Sequence, residues 1–241
     1  MESDRIKWNA RFESQGSYLG ERPSPFLAAE IERIKALAPG PDALDIACGE
    51  GRNSIYLARH GFRVVGVDIS DCGLAKGRSR AQATGVEVDF RRVDLDDGLV
   101  EGTYDLILNF NFLLRDLIPA EVAALNRGGL LLFDTIMASE KLVQTRNPDY
   151  LLQPGELTRL FAPLDGEILF SEESRDDEMP TARLLFRKST LCPKLPRLPP
   201  IASNAYLRDS NSRKCYYPPQ NRPKILDRLI FCPFCHLALR L

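Results

Sequence analysis

The feature that most constrains the fold of this 241-residue chain is the order of apolar and glycine-rich segments within residues 44–70. An apolar run leads into a turn with Gly49 and Gly51, a helical stretch follows, and a second apolar run at 64–67 ends at Asp68. Strand, glycine turn, helix, strand and terminal acid are together typical of a nucleotide-binding βαβ unit. The glycines allow a sharp turn close to a ligand, and Asp68 is placed to accept both hydroxyls of a ribose.

The residues around the turn distinguish between two classes of adenosine ligand. A dinucleotide site has the pattern Gly-x-Gly-x-x-Gly/Ala and a helix start free to hold a pyrophosphate, whereas the third position here is Ser54. Two acids, Asp45 and Glu50, lie in or beside the turn. Carboxylates there would repel a pyrophosphate but attract a sulfonium that also carries an ammonium group. The electrostatics therefore favour S-adenosylmethionine over a nicotinamide cofactor.

These motifs also carry a resemblance to a known family. Residues 44–53 (Leu-Asp-Ile-Ala-Cys-Gly-Glu-Gly-Arg-Asn) and 67–70 (Val-Asp-Ile-Ser) resemble the first two motifs of class I S-adenosylmethionine-dependent methyltransferases, most closely those of the tellurite-resistance type. Residues 147–157 (Asn-Pro-Asp-Tyr-Leu-Leu-Gln-Pro-Gly-Glu-Leu) are similar to a later segment of that branch, and the resemblance covers 6–188. It implies an α/β fold: a Rossmann-like, seven-stranded, mostly parallel sheet with helices on both faces and a terminal antiparallel hairpin.

The hydrophobic pattern fits this architecture along the rest of the domain. Strands and helices alternate up to residue 132, which is typical of a parallel sheet, and two final strands form a hairpin. The further predicted strands are 86–93, 104–109, 130–136, 167–173 and 182–188, and the further helices are 27–37, 72–84, 118–125 and 154–161.

The motifs and the resemblance together give nine cofactor-binding positions, all near the carboxyl ends of predicted strands. Those assigned to the methionine part are Asp45, Ala47, Gly49 and Gly51, with Asn109 facing the methionine or the acceptor. Those assigned to the adenosine are Asp68 at the ribose and, by resemblance, Ile69, Asp94 and Leu95 at the adenine. For Asp94 there is an alternative role, as a loop carboxylate that caps a short helix.

The acceptor is expected to be a small molecule. Methyl transfer from a sulfonium is an in-line displacement, so a general base is needed only when the acceptor must lose a proton. The two histidines, His60 and His236, are not credible bases, and Leu114 stands where many relatives carry a histidine. The pattern favours an acceptor that is already nucleophilic, such as a thiol, a selenide, a tellurite-like species, an unprotonated amine or a carboxylate. No catalytic residue is predicted.

Two other functions stay open at this point. A small NAD(P)-dependent oxidoreductase would need a second domain and a Tyr-x-x-x-Lys motif or a catalytic histidine, none of which is recognisable. A non-catalytic S-adenosylmethionine-binding module, or a degenerate paralogue, is favoured by Leu114 and by the unusual carboxyl-terminal segment.

Residues 1–40 are expected to form an amino-terminal arm and the first helix. The arm, 1–23, is polar with scattered aromatic residues at Trp8, Phe12 and Tyr18. It either packs these rings on the domain or covers the ligand as a lid, and the resemblance implies the second role.

A change in composition near Ser189 marks a boundary between a methyltransferase domain at 1–188 and a tail at 189–241. The tail has nine Lys/Arg against two Asp, eight of the 17 prolines and four of the six cysteines. Cys232-Pro-Phe-Cys-His236 formally matches a haem-attachment pattern, and a four-cysteine zinc site is conceivable, but the spacing of the cysteines is wrong for zinc. A disordered tail, or a segment foreign to the family, fits this composition better, and no metal site is predicted.

The whole-chain charge and hydropathy suggest the location and partners of the protein. A formal net charge of −1 gives no reason to expect nucleic acid or a membrane as a partner. The polar start lacks the apolar core of a signal peptide, and no apolar run has the length of a membrane span. We expect a cytoplasmic protein with reduced cysteines.

Overall fold

The computed structural model describes residues 2–13, 16–174 and 179–191. Contacts divide the chain into two units, Met1–Cys192 and Pro193–Leu241, and the second lies outside the described residues. The haem-like and zinc-like patterns of the tail therefore also lie outside them. Among the described helices, none combines the length and apolar character needed to cross a membrane.

A seven-stranded sheet in the order β3-β2-β1-β4-β5-β7-β6 forms the centre of the first unit. The first five strands are parallel, and β7 runs antiparallel to both β5 and β6. The strands are β1 (Asp42–Ile46), β2 (Arg63–Asp68), β3 (Asp89–Arg92), β4 (Tyr104–Phe110), β5 (Leu125–Ile136), β6 (Gly166–Glu173) and β7 (Thr181–Lys188). The predicted Rossmann-like sheet with its terminal hairpin is confirmed.

Helices cover both faces of the sheet because its central strands are apolar on both sides. The helices are α1 (Glu2–Glu13), α2 (Pro25–Leu37), α3 (Arg52–Arg59), α4 (Asp71–Thr84), α5 (Ile118–Ala124) and α6 (Glu156–Phe161). Ile107 of β4 belongs to a core cluster with α5 and α6, whereas its neighbours Leu106 and Leu108 belong to a second cluster with α2 and α3.

The strand β5 begins five residues earlier than the apolar pattern predicts, at Leu125 instead of Leu130. Leu125 pairs with Tyr104, but the next pair is Leu106 with Leu130, so the intervening residues of β5 bulge out of the ladder. Gly128 has a left-handed backbone (φ 77°) within this bulge. Gly128 therefore lies in a bulge inside β5, not in a turn that precedes the strand.

Candidate functional site

The turn after β1 has backbone conformations that favour small residues. Ala47 (φ 51°), Gly49 (φ 56°) and Gly51 (φ 73°) are all left-handed, and the Gly51 N–H donates to Cys48 O at 2.9 Å. A Cβ on Gly51 would also lie only 2.5 Å from the ring of Phe90. Left-handed backbone at the non-glycine Ala47 is costly, and such positions concentrate at functional sites.

Asp68 joins this turn to the end of β2. Its side chain is buried, its Oδ2 accepts the Gly49 N–H at 2.8 Å, and its Oδ1 accepts the Ser70 N–H at 2.8 Å. Burial raises the pKa of Asp68, and the backbone hydrogen bonds oppose the rise. Each carboxylate oxygen has a second lone pair, so the group can still accept hydrogen bonds from a ligand.

Asp45 is the buried acid beneath the turn. The Ser54 hydroxyl lies 2.5 Å from its Oδ2, and Asp45 itself is 1% exposed. Burial raises the pKa of Asp45 to about 7, and the Ser54 bond and the charge of Arg52 oppose the rise. Ser54, the departure from the dinucleotide pattern, therefore serves as the hydrogen-bond donor to this carboxyl.

Glu50 does not supply the free negative charge for a sulfonium that the sequence suggests. Its carboxylate is paired with Lys76 Nζ at 3.3 Å and with Arg80 at 3.4 Å. It also accepts the Tyr18 N–H at 3.1 Å, and the Ser17 hydroxyl lies 2.5 Å from it. Two cations compensate this charge, so the expected attraction for a sulfonium rests on Asp45.

The amino-terminal arm lies over the turn. The Phe12 ring is so close to Gly49 that a Cβ there would be 3.1 Å from it. Residues of the turn in return hold the arm: Arg52 donates to Leu19 O at 3.1 Å, and Asn53 Oδ1 accepts the Ser24 N–H at 2.8 Å. Of the two roles left open for the arm, this arrangement is compatible with both, and the lid stays a prediction.

A pocket opens at the carboxyl ends of β1 and β4, where the strand order reverses and ligands bind in open α/β sheets. The arm, the glycine turn and the segment after β4 each contribute to its wall. The lining residues are Phe12, Leu19, Gly20, Asp45, Ala47, Cys48, Glu50, Arg52, Asn53, Phe110 and Asn111.

The sheet brings the other predicted positions to the same edge. Asp68 at the end of β2 pairs with Arg92 at the end of β3, so Ile69, Asp94 and Leu95 follow two adjacent strands. Leu95 is buried, and Asp94 Oδ1 accepts the Asp96 N–H at 3.2 Å, which caps a short 3-10 helix. This is the alternative role considered for Asp94, and its contact with adenine stays a prediction.

Asn109 lies beneath the wall of the pocket, and Phe110 and Asn111 line it instead. Its Nδ2 donates to Glu121 Oε1 at 2.8 Å, and both side chains are fully buried. Glu121 was not singled out from the sequence. A signal existed, since Glu121 has helical spacing from the apolar Ile118 and therefore shares its buried face.

Arg115 is a second residue that sequence reasoning missed. It follows Leu114, and its guanidinium bonds to both carboxylate oxygens of Glu156, at 2.6 and 3.2 Å. It also donates to Asp149 O at 2.6 Å and to Leu151 O at 3.0 Å. Arg115 therefore ties the segment after β4 to residues 147–157, the second region that carries the family resemblance.

Asp134 adds a third carboxyl near this edge, on β5. Burial raises its pKa to about 6, and the charges of Arg183 and Arg52 oppose the rise. Arg183 Nε lies 3.5 Å from Asp134 Oδ2. Because the same Arg52 lines the pocket and interacts with Asp45, it connects the two carboxyls electrostatically.

Part of the chain matches a known family. Residues 43–128 match the family model of a methyltransferase domain. The match runs from β1 into β5 and includes the glycine turn, and it supports S-adenosylmethionine as the cofactor.

The curated relatives are similar over part of their length. A ubiquinone biosynthesis O-methyltransferase from Nitrosococcus oceani is 32% identical over 123 residues, which is 48% of this chain and 52% of that protein. One from Hahella chejuensis is 33% identical over 115 residues, 44% of this chain and 48% of that protein. The chain thus spans about half the length of the curated relatives it matches.

Two solved structures illustrate the similarity of fold. Magnesium protoporphyrin IX methyltransferase from Synechocystis PCC 6803, with bound S-adenosylhomocysteine, has a TM-score of 0.60 at 17% identity, over 78% of this chain and 99% of that chain. TehB from Haemophilus influenzae has a TM-score of 0.57 at 23% identity, over 67% of this chain and 62% of that chain.

The residues present at the site fit S-adenosylmethionine. Asp68 keeps lone pairs for a ribose, and the left-handed turn at Gly49 and Gly51 permits close approach of a ligand to the backbone. Asp45 offers a carboxyl at the pocket wall for a cationic group. When bound, the cofactor supplies a methyl group on a positively charged sulfur.

Proposed function

We propose that the protein transfers a methyl group from S-adenosylmethionine to a small-molecule acceptor. The observation that carries this proposal is the buried Asp68 carboxylate, which holds the left-handed turn of the methyltransferase domain at the edge where the pocket opens. Asp45 would hold the ammonium group, directly or through water, and Asp68 the ribose. The role of the chain is then mainly to position the two reactants and to exclude water, which supplies much of the rate of a displacement.

The proposal does not include a histidine base. His60 follows α3 at the end remote from the turn, and its Nδ1 lies 2.8 Å from Tyr56 O. Leu114 is half-buried against the core. An acceptor that is already nucleophilic, such as a thiol or a selenide, needs no proton transfer before it attacks.

Oxygen acceptors form a second candidate class, which the names of the curated relatives favour. These relatives are O-methyltransferases, and a hydroxyl acceptor must lose its proton. Asp134 is the candidate for that task, because it pairs across the sheet with the pocket residue Phe110 and its pKa of about 6 keeps it ionised yet basic near neutral pH.

We also propose that the domain belongs to the tellurite-resistance-type branch. The support is the resemblance of residues 147–157 to that branch, together with the bonds from Arg115 that fix this segment beside the site. Within this branch the arm would act as a lid.

Calorimetric titration with S-adenosylmethionine, S-adenosylhomocysteine and NADH tests the cofactor. We expect both S-adenosyl ligands to bind and Asp68→Asn to weaken them by about tenfold or more, because a buried carboxylate contact is lost. Asp97→Asn, an exposed acid after β3, is the matched control and should bind as the unaltered chain does. Binding of NADH alone would overturn the proposal.

Formation of S-adenosylhomocysteine over an acceptor panel separates the remaining possibilities. Turnover with thiols or selenides that survives Asp134→Asn supports an acceptor that is already nucleophilic. Turnover with phenols that is lost in Asp134→Asn supports an oxygen acceptor. Tight cofactor binding without turnover on any acceptor would support the non-catalytic module.

A further inference from the structure

Two buried oxygens beneath the pocket wall lack a hydrogen-bond partner. Among the described residues, Glu121 Oε2 and Asn109 Oδ1 are buried acceptors with none, although the two side chains are joined by the bond from Asn109 Nδ2 to Glu121 Oε1. Both residues are fully buried. An unpartnered buried polar atom destabilises the folded state, so a pair of them in one contact calls for a physical explanation.

An ionised Glu121 cannot explain the pair. A carboxylate has acceptors only, so it leaves both oxygens unpartnered and also places a charge in an apolar core. A carboxylic acid has one donor. With the proton on Oε2, the acid and the amide can form a reciprocal pair in which each group donates once and accepts once, and both defects disappear together.

The surroundings of Glu121 agree with a neutral acid. Burial raises the pKa of Glu121 to about 8, and the Asn109 bond opposes the rise. Its neighbours on α5, Ile118 and Val122, belong to the apolar core. Other titratable groups on the elements packed against α5 or beside it are Tyr104, Asp105, Arg115, Asp116, Arg127, Asp134, Arg183, Arg187 and Lys188.

We propose that Glu121 is a positioning residue: as a neutral acid paired reciprocally with Asn109, it fixes the β4–α5 connection that forms one wall of the pocket. Asn109 pairs with Ile46 of β1 and with Phe133 of β5, so it is anchored in the centre of the sheet. Glu121 lies on α5, at the other end of the connection. The pair thus joins the two ends of a segment of about ten residues.

That segment carries residues of the pocket. Phe110 and Asn111 line it, and Asn111 has a left-handed backbone (φ 57°) whose N–H donates to Asp134 O at 2.8 Å. A strained residue of this kind persists only when its surroundings hold it in place. The part of the inference that concerns ligand affinity rests on the proposed function, whereas the pairing itself does not.

Infrared spectroscopy of the full chain without ligand tests the pairing. Glu121→Gln preserves one donor and one acceptor without a titrating proton, and Glu121→Leu removes both. At pH 6.5 we expect the carbonyl stretch of a protonated acid in the unaltered chain and in the control Asp116→Asn, an exposed acid of the same connection. The Glu121 contribution to this band should be lost in Glu121→Gln, whereas Asp45, with a pKa of about 7, still contributes. An unchanged spectrum in Glu121→Gln would overturn the neutral acid.

Hydrogen exchange at residues 110–117 tests the positioning role, again without ligand. Glu121→Gln should rescue protection to that of the unaltered chain, whereas Glu121→Leu should exchange about tenfold faster or more because the Asn109 amide is left unpaired. Equal protection in the two variants would overturn the role. In titrations with S-adenosylhomocysteine, Glu121→Gln should bind within about twofold of the unaltered chain and Glu121→Leu more weakly by about tenfold. If the unaltered chain does not bind, the proposed function fails, while infrared and exchange still decide the pairing.

Discussion

At the scale of single residues, the site depends on a buried acid with its own hydrogen-bond donor. Asp45 is almost fully buried, which disfavours its ionised form. Ser54 and Arg52 stabilise that form but offset the effect of burial only in part. Its pKa of about 7 means that the carboxyl is partly protonated near neutral pH. A cation that binds beside it selects the ionised form, so ligand binding is coupled to the release of a proton.

We therefore expect the affinity for S-adenosylhomocysteine, which carries the same ammonium group, to fall with pH below about 7. The loss approaches tenfold per pH unit, because one proton must leave Asp45 before the ligand binds. Calorimetry between pH 5.5 and 8.5 measures this dependence. Ser54→Ala removes a bond that lowers the pKa, so the midpoint should move upward.

Two carboxyl variants complete this test. Asp45→Asn should bind more weakly and with little pH dependence over the same range. Asp134→Asn removes the nearby group with a pKa of about 6 and should leave the midpoint close to 7. A pH profile that survives Asp45→Asn but disappears in Asp134→Asn would show that the titrating proton belongs to Asp134. That result would contradict the assignment to Asp45.

The sequence predicts the positions of the site residues more accurately than the contacts that their side chains make. Asp45 and Asp68 lie where the motif indicates, because their positions follow from strand ends that the hydrophobic pattern defines. Asn109 also follows that pattern, yet its amide bonds to Glu121. The partner of a buried amide depends on a helix that folds back over the sheet, and no local pattern specifies that contact.

At the scale of elements, the arm and the glycine turn form one unit. Glu50 is buried and paired with Lys76 and Arg80 of α4, and it also bonds to the arm at Ser17 and Tyr18. Although burial opposes it, the Ser17 bond and the charges of Arg80 and Lys76 lower the pKa of Glu50 overall. One carboxylate thus holds the arm, the turn and a helix together.

Glu50→Gln should loosen the arm. The neutral amide loses both ion pairs and leaves half-buried cations behind, so we expect a loss of about 2 kcal/mol in the free energy of unfolding. Limited proteolysis should cut the arm faster, and urea denaturation measures the stability. Glu21→Gln is the matched control, because Glu21 approaches the same Arg80 at 3.8 Å but is 82% exposed. It should change stability by less than about 0.5 kcal/mol. Equal effects of the two substitutions would contradict this account of the arm.

A second pair of elements is joined by Arg115. Its planar guanidinium makes four hydrogen bonds that a lysine cannot reproduce. We expect Arg115→Lys to cost about 1–3 kcal/mol of stability and to speed hydrogen exchange at residues 149–156. Arg127→Lys, which alters an arginine of similar exposure paired with Asp165, is the control and should leave that segment protected. Unchanged exchange in Arg115→Lys would show that the segment is held by other contacts.

At the scale of the whole molecule, the order of the strands decides where the domain can end. The last strand in sequence, β7, lies between β5 and β6. The edge strand β6 pairs with β7, and this pairing joins it to the rest of the sheet. Lys188 at the end of β7 donates to Ala123 O at 2.7 Å and to Leu125 O at 2.6 Å. The apolar pattern predicts the hairpin, but this insertion next to β5 depends on tertiary pairing.

We expect a chain that ends at residue 192 to unfold cooperatively and to bind S-adenosylhomocysteine as the full chain does. Within the part of the chain that the structure describes, the pocket residues and the seven strands precede this point. A chain that ends at residue 180 lacks β7, exposes the buried Leu131 and Phe133 of β5 that face it, and should not fold cooperatively. Circular dichroism during heating, with calorimetric titration, compares the three chains. Weaker binding by the chain ending at 192 would mean that residues 193–241 support the site, and stronger binding would mean that they restrict it. Either result would contradict the proposed independence of the domain at 1–188 from the tail.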